Sequence, residues 1–155
     1  MSSRAARMAF VTCMDPRIRI SEVLGDRAIN SFVLRNAGGR VTDDILRGLI
    51  LCTQLLDVTE VAVVHHTDCR LQDFTDEQLV LKTGADIEFM AFSDPMESIL
   101  EDVKRLQDNE LLTDHTRIWG GLYEVASHSL SVVIDIPVSA RGSSFTPGQD
   151  DEIRY

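Results

Sequence analysis

The chain has 155 residues, 44% hydrophobic and 26% charged, with a formal net charge of −10, which favours one domain around one core and argues against nucleic-acid or anionic-membrane partners, since both need clustered Lys and Arg. No run approaches the roughly 20 apolar residues of a membrane span, and residues 1–12 are too weakly apolar for a signal peptide, so the cytoplasm is the expected location. There the three cysteines, Cys13, Cys52 and Cys69, stay reduced and are read as metal ligands, nucleophiles or core filler.

Residues 8–12, MAFVT, read as a short buried strand. ISEVLG (20–25) gives one or two helical turns closed by Gly25, and INSFVLR (29–35) a second strand broken by Asn36-Ala37-Gly38-Gly39. Thr42 then caps a helix with acids in its first turn. Its apolar positions from Ile45 to Leu56 cover much of the circumference, so it is expected to be well buried, with Cys52 in the core. VTEVAVVHH (58–66) is a third strand. Residues 74–84 suggest a helix ended by Gly84. Asp94-Pro95 opens another, with Glu97 completing a capping box and Met96, Ile99, Leu100, Val103 and Leu106 as its apolar stripe. RIWGGLYEV (117–125) and LSVVIDIP (130–137) form a hairpin. His115 and His128 lie in polar surroundings and are read as surface residues.

This βαβαβ order implies an α/β fold with a parallel central sheet, flanking helices and right-handed crossovers. The expected strand order is 2-1-3-4, with an added antiparallel edge strand from the hairpin. Residues 1–137 are expected to make a single α/β domain. The tail 138–155 has linker composition and is expected to pack, if anywhere, on a neighbouring subunit.

Ligands of such sheets gather beyond the carboxyl ends of the strands. Cys13 lies just past the first strand, and His65, His66 and Cys69 just past the third. If those strands are neighbours, about 4.8 Å apart, one small ion reaches both ends. His66 and Cys69 stand at H-x-x-C spacing, which lets one turn aim both side chains at one ion. His65 competes with His66, but adjacent residues on a strand point to opposite faces, so only one of the two faces the metal. Two thiolates and an imidazole suit Zn²⁺, and three protein ligands leave a fourth position open, as in catalytic zinc sites. The plainer alternative is two buried thiols and a core histidine.

Zinc holding two thiolates has lost its net charge, so its effect on bound water is blunted. An acid can orient that water by accepting its proton, and a cation can hold the acid ionised. Asp15 and Arg17 can form such a pair beside Cys13, or only a surface salt bridge. Arg19 is read as solvated. Cys13 and Arg19 also satisfy C-x₅-R, the phosphate loop of cysteine phosphatases. That loop needs successive backbone N–H groups around a dianion, whereas here Asp15 repels phosphate and Pro16 has no N–H to offer.

Cys13-x-Asp15-x-Arg17, Asn36-Ala37-Gly38-Gly39 and His66-x-x-Cys69, in that order and spacing, resemble the signature of the β-class carbonic anhydrases. The likeness runs from residue 8 to 71, is weaker through the hairpin, and is strongest to the short bacterial and archaeal branch. It implies that Cys13, His66 and Cys69 bind one Zn²⁺ per chain and that Asp15 and Arg17 are the catalytic dyad. Residues Asn36, Ala37, Gly38 and Gly39 then bring backbone close to the pocket. The implied assembly is a homodimer or homotetramer. The implied reaction is the reversible hydration of CO₂ to bicarbonate by a zinc hydroxide, at a site whose Asp15 either orients the hydroxide or, in an inactive state, takes the fourth position. Relatives in this fold hydrolyse carbonyl sulfide or carbon disulfide instead. A non-catalytic zinc-stabilised protein, with Asp15 as permanent fourth ligand, is the remoter reading. Two positions depart from the family, which usually has glycine after the second cysteine, then methionine or glycine. Here Arg70 and Leu71 stand there; Arg70 either narrows or recharges the entrance, or turns to solvent and pairs with Asp68 or Asp73.

Overall fold

A computed structural model describes residues 7–138. Five strands form one sheet in the order β2-β1-β3-β4-β5, the expected order with β5 as the added antiparallel edge. They are β1 (Arg7–Cys13), β2 (Ser31–Asn36), β3 (Val58–His66), β4 (Arg117–Glu124) and β5 (Ser129–Ile136). The β1–β2, β1–β3 and β3–β4 pairs are parallel, and β4–β5 is the antiparallel edge hairpin. Because β1 and β3 are central and covered on both faces, they read as continuous apolar runs rather than alternating ones.

Two helices, α2 (Asp43–Leu55) and α4 (Pro95–Gln107), cover one face, where Ile45, Leu49, Ile99 and Val103 meet Val11, Val61 and Val63. On the other face Met8, Phe10, Ala62, Val64, Trp119 and Tyr123 pack with Leu24 of α1 (Ile20–Leu24). A short helix, α3 (Asp76–Thr83), carries the capping box Thr75–Gln78 and ends at Gly84 in the left-handed conformation. Thr42 caps α2 by accepting from the Ile45 N–H. No helix among the described residues is long and apolar enough to cross a membrane.

Several sequence expectations are corrected. The second strand starts at Ser31, because Gly25–Asn30 form a 3₁₀ turn. Asp94 caps α4 by accepting from the Met96 N–H at 2.8 Å, without a reciprocal bond from Glu97. The buried stripe of α4 is also rotated: Met96 and Leu100 face solvent, while Ser98 and Asp102 are buried beside Ile99, Val103 and Leu106. The rotation has a cause, since Ser98 and Asp102 find buried polar partners described below. Apart from Val138, the tail 138–155 lies outside the described residues.

Candidate metal centre

β1 and β3 are register neighbours, with Thr12 opposite Val64, so the chain past both carboxyl ends converges on one place. Cys13 ends β1 and His66 ends β3. Strand alternation sends His65 toward the α2/α4 face and His66 toward the other. Cys69 follows a tight turn in which Asp68 adopts φ +57°. The Cys69 sulfur then caps the 3₁₀ turn Arg70–Asp73, accepting the Gln72 N–H. The two sulfurs and an imidazole nitrogen lie within 4.8 Å of one another, all three residues buried.

The donor atoms fit a thiophilic divalent ion. His66 Nδ1 is 2.8 Å from the Thr67 carbonyl oxygen, so Nδ1 carries the proton and donates it, as metal-bound histidines do. That leaves Nε2 with its lone pair, buried and without a hydrogen-bond partner. A buried orphaned nitrogen costs free energy unless something occupies its lone pair, and the sulfurs beside it are the natural co-ligands for zinc.

The metal-free site holds protons that a cation must displace. Cys69 donates to Cys13, which lowers the Cys13 thiol to about 4 against the penalty of burial; backbone N–H groups of Asp15 and Gly38 also donate to its sulfur. The same shared proton, together with burial, pushes Cys69 upward. Burial pulls His66 down, but its interactions with the adjacent Cys13 sulfur outweigh this and raise the imidazole. Binding a metal must strip the proton from Cys69, and from His66 below its raised pKa, so affinity is expected to rise with pH. Chelator competition between about pH 6 and 8 checks this; a flat profile would mean that both ligands already stand deprotonated.

Asp15 and Arg17 meet beside the sulfurs. Arg17 Nη2 donates to Asp15 Oδ2 at 2.8 Å and Nε to Oδ1 at 3.1 Å. Through these bonds Arg17 holds the Asp15 carboxyl down at about 2, against a smaller burial penalty. Asp15 Oδ2 is 3.9 Å from His66 Nε2, within a side-chain rotation of the ligand cluster. Arg17 also bonds the Asp68 carboxylate and carbonyl oxygen, at 2.8 and 2.9 Å, and so ties the loop after β1 to the loop after β3. Sequence reasoning offered Asp68 only as a possible partner of Arg70 and missed its bond with Arg17; its place between two candidate ligands was the available signal. Arg19 is exposed and pairs with Glu22, as expected of a solvated residue.

Asn36, which ends β2, donates from Nδ2 to the Arg40 carbonyl at 2.8 Å and so shapes the turn Ala37–Gly39. Ala37 is exposed, while Gly38 and Gly39 are buried. Gly39 has φ +66°, and a Cβ there would lie 2.7 Å from the Cys13 backbone nitrogen; only glycine allows that approach. A Cβ on Gly38 would likewise strike Leu71, which with Ile18 and Phe92 packs apolar surface about Cys13 and Cys69. Arg70 does not join these residues. Its side chain is 85% exposed and pairs with Asp73 at 3.0 Å, because i and i+3 eclipse in a 3₁₀ turn.

His65, the other half of the histidine pair, is fully buried in a polar set that includes Ser98, Asp102 and Arg40. Burial pushes the Asp102 carboxyl up, but bonds from His65 and Arg40 outweigh it and lower it. Sequence reasoning missed Arg40, Ser98 and Asp102 altogether. Cys52 is a buried core thiol, raised by its burial. His128 is exposed, 3.0 Å from the Tyr123 hydroxyl.

A parallel α/β sheet with two cysteines and a histidine converging at its carboxyl edge, beside an ionised Asp–Arg pair, defines a class of candidate metalloenzymes. Residues 8–116 match the carbonic anhydrase family. The chain is 33% identical over 132 residues to β-carbonic anhydrase 1 of Mycobacterium tuberculosis, covering 81% of each protein. It is 30% identical over 154 residues to a carbon disulfide hydrolase of an Acidianus species, covering 80% of this chain and 76% of that protein. In structure it resembles the carbonic anhydrase of Streptococcus mutans, with TM-score 0.75 and 39% identity over 82% of this chain and 81% of that one. The chain belongs to the β-carbonic anhydrase family.

Proposed function

We propose that the protein catalyses the reversible hydration of carbon dioxide to bicarbonate with one zinc ion per chain, held by Cys13, His66 and Cys69. The observation that carries this reading is the orphaned His66 Nε2, buried against two sulfurs with an ionised carboxylate 3.9 Å away. A zinc ion bound there supplies Lewis acidity and a nucleophile at neutral pH. Asp15, ionised throughout the working range, accepts a hydrogen bond from the attacking water and fixes its orientation. Arg17 would keep that carboxylate turned away from the two sulfurs and His66 Nε2. Leu71, Phe92 and Ile18 give a small linear substrate an apolar wall, and Asn36 to Gly39 present backbone to the same pocket. In this reading the working unit is a homodimer or homotetramer.

Hydrolysis of carbon disulfide or carbonyl sulfide is the second reading, favoured by the similarity to the Acidianus hydrolase. These molecules offer an electrophilic carbon to the same nucleophile. The zinc-loaded protein assayed against CO₂, carbonyl sulfide and carbon disulfide side by side decides between them. Fast CO₂ hydration with negligible sulfide release is expected, and the reverse pattern would replace the first reading by the second.

A further inference from the structure

The set His65, Asp102, Arg40 and Ser98 has no part in the chemistry above, yet it fills the space directly behind it. Each member is nearly fully buried: Arg40 3% exposed, Ser98 and Asp102 1%, His65 0%. Arg40 donates from Nε to Asp102 at 2.8 Å and from Nη1 to the Met90 carbonyl oxygen at 2.8 Å, and it reaches Glu101 at 3.0 Å. His65 Nε2 faces two acceptors, the Gly39 carbonyl oxygen at 3.1 Å and Asp102 Oδ2 at 3.2 Å, so Nε2 carries a proton and donates. His65 Nδ1 lies 2.7 Å from Ser98 Oγ. Phe92 stacks on the His65 ring, and the Arg40 guanidinium lies over the Phe92 ring.

Burying one charged pair and a histidine carries a large desolvation cost, and apolar residues of similar volume serve stability as well or better. The set therefore calls for a role that apolar packing could not fill. All its lines converge on one segment. Arg40 directly follows Gly39, His65 holds the Gly39 carbonyl oxygen, and Asn36 holds the Arg40 carbonyl oxygen. That segment presses on Cys13 from behind, and its Gly38 N–H donates to the Cys13 sulfur.

We propose that Arg40, Asp102, His65 and Ser98 are positioning residues that clamp the Gly38–Gly39 turn against Cys13, so that the Gly38 N–H is held on the ligand sulfur and sets its strength as a donor to the metal. This rests on the reading of Cys13, His66 and Cys69 as metal ligands. An N–H bonded to a thiolate withdraws electron density from it and fixes its orientation, and partners of this kind typically change metal affinity about 10–100-fold.

Cobalt(II) is the probe, because its sulfur-to-metal charge-transfer absorption reports the donor strength of the thiolates directly. Three variants are titrated beside the wild type: Ser98→Ala, Asp102→Asn, and the charge-free double variant Arg40→Met with Asp102→Leu. Thermal unfolding of each metal-free protein is recorded as well. One cobalt per chain is expected throughout. Asp102→Asn and the double variant are expected to shift the charge-transfer band and to lose about tenfold or more in affinity, with Ser98→Ala moving the same way by less. The double variant should melt close to the wild type. Ser98→Ala removes one neutral hydroxyl and keeps the test alive if a charge variant fails to fold. Folded variants whose band and affinity coincide with the wild type would overturn the proposal and leave the set purely structural. A wild type that takes up no cobalt would overturn the metal-site reading itself, and this proposal with it.

Discussion

Cys13→Ser, His66→Ala and Cys69→Ser are each expected to emerge without zinc and without measurable CO₂ hydration, while Cys52→Ala retains one zinc per chain and wild-type turnover. The contrast follows from geometry. The first three residues contribute the donor atoms gathered within 4.8 Å, so deleting any one leaves two ligands for an ion that requires at least three from the protein. Cys52 is as buried as the ligand cysteines, but it packs on the α2 face with Ile45 and Leu49. Elemental analysis of the purified proteins is the measurement, with circular dichroism to verify that each variant folds. Full zinc in Cys69→Ser would remove that residue from the ligand set. The His66 variant is the most telling, because in it the orphaned nitrogen disappears while both sulfurs remain.

How far the sequence foretold this arrangement depended on whether a residue's signal was local. β1 and β3 are short apolar runs bounded by turn residues, and their parallel pairing follows from the intervening helix, so the converging loops could be anticipated. The two-residue period of a strand showed that only one of His65 and His66 could join the cysteines, and the structure separates the two rings onto opposite faces. What stayed hidden depends on contacts distant along the chain. Arg40 follows a glycine turn and carries no local signal of burial, since its partner Asp102 lies 62 residues later in the chain. Ser98 and Asp102 fall outside the hydrophobic stripe of α4, so periodicity alone rotated that helix toward Met96 and Leu100. Arg70 left two readings open for the opposite reason. Its adjacency to Cys69 suggested a place at the metal, but the 3₁₀ turn that Cys69 caps points the side chain outward to Asp73. Nothing in the composition of residues 69–73 distinguishes a 3₁₀ turn from the start of an α-helix.

Asp15→Asn and Arg17→Ala are expected to keep zinc yet lose CO₂ hydration by about 10²-fold or more, the range for a positioned proton-accepting group. In Asp15→Asn an amide presents an N–H where the carboxylate presented a lone pair, so the attacking water loses its orienting acceptor. In Arg17→Ala the carboxylate survives but its anchors at 2.8 and 3.1 Å are gone. It is then free to swing the 3.9 Å toward His66 Nε2 and occupy the position that substrate water needs. The two losses therefore have different causes, and they combine in a particular way. Once position 15 carries an amide there is no carboxylate for Arg17 to restrain, so the double variant should be no slower than about the Asp15→Asn enzyme, far from the product of the two effects. The pH dependence separates them further. Asp15 titrates at about 2 in the wild type because Arg17 holds it there, so no limb of the rate profile above about pH 4 belongs to it. Without Arg17 the carboxylate competes with hydroxide for that position, and because hydroxide gains as pH rises, higher pH should relieve part of the Arg17→Ala defect. Stopped-flow hydration across pH for the four proteins measures all of this. Multiplicative losses, or wild-type rates in either single variant, would reduce the pair to a salt bridge without a part in the reaction.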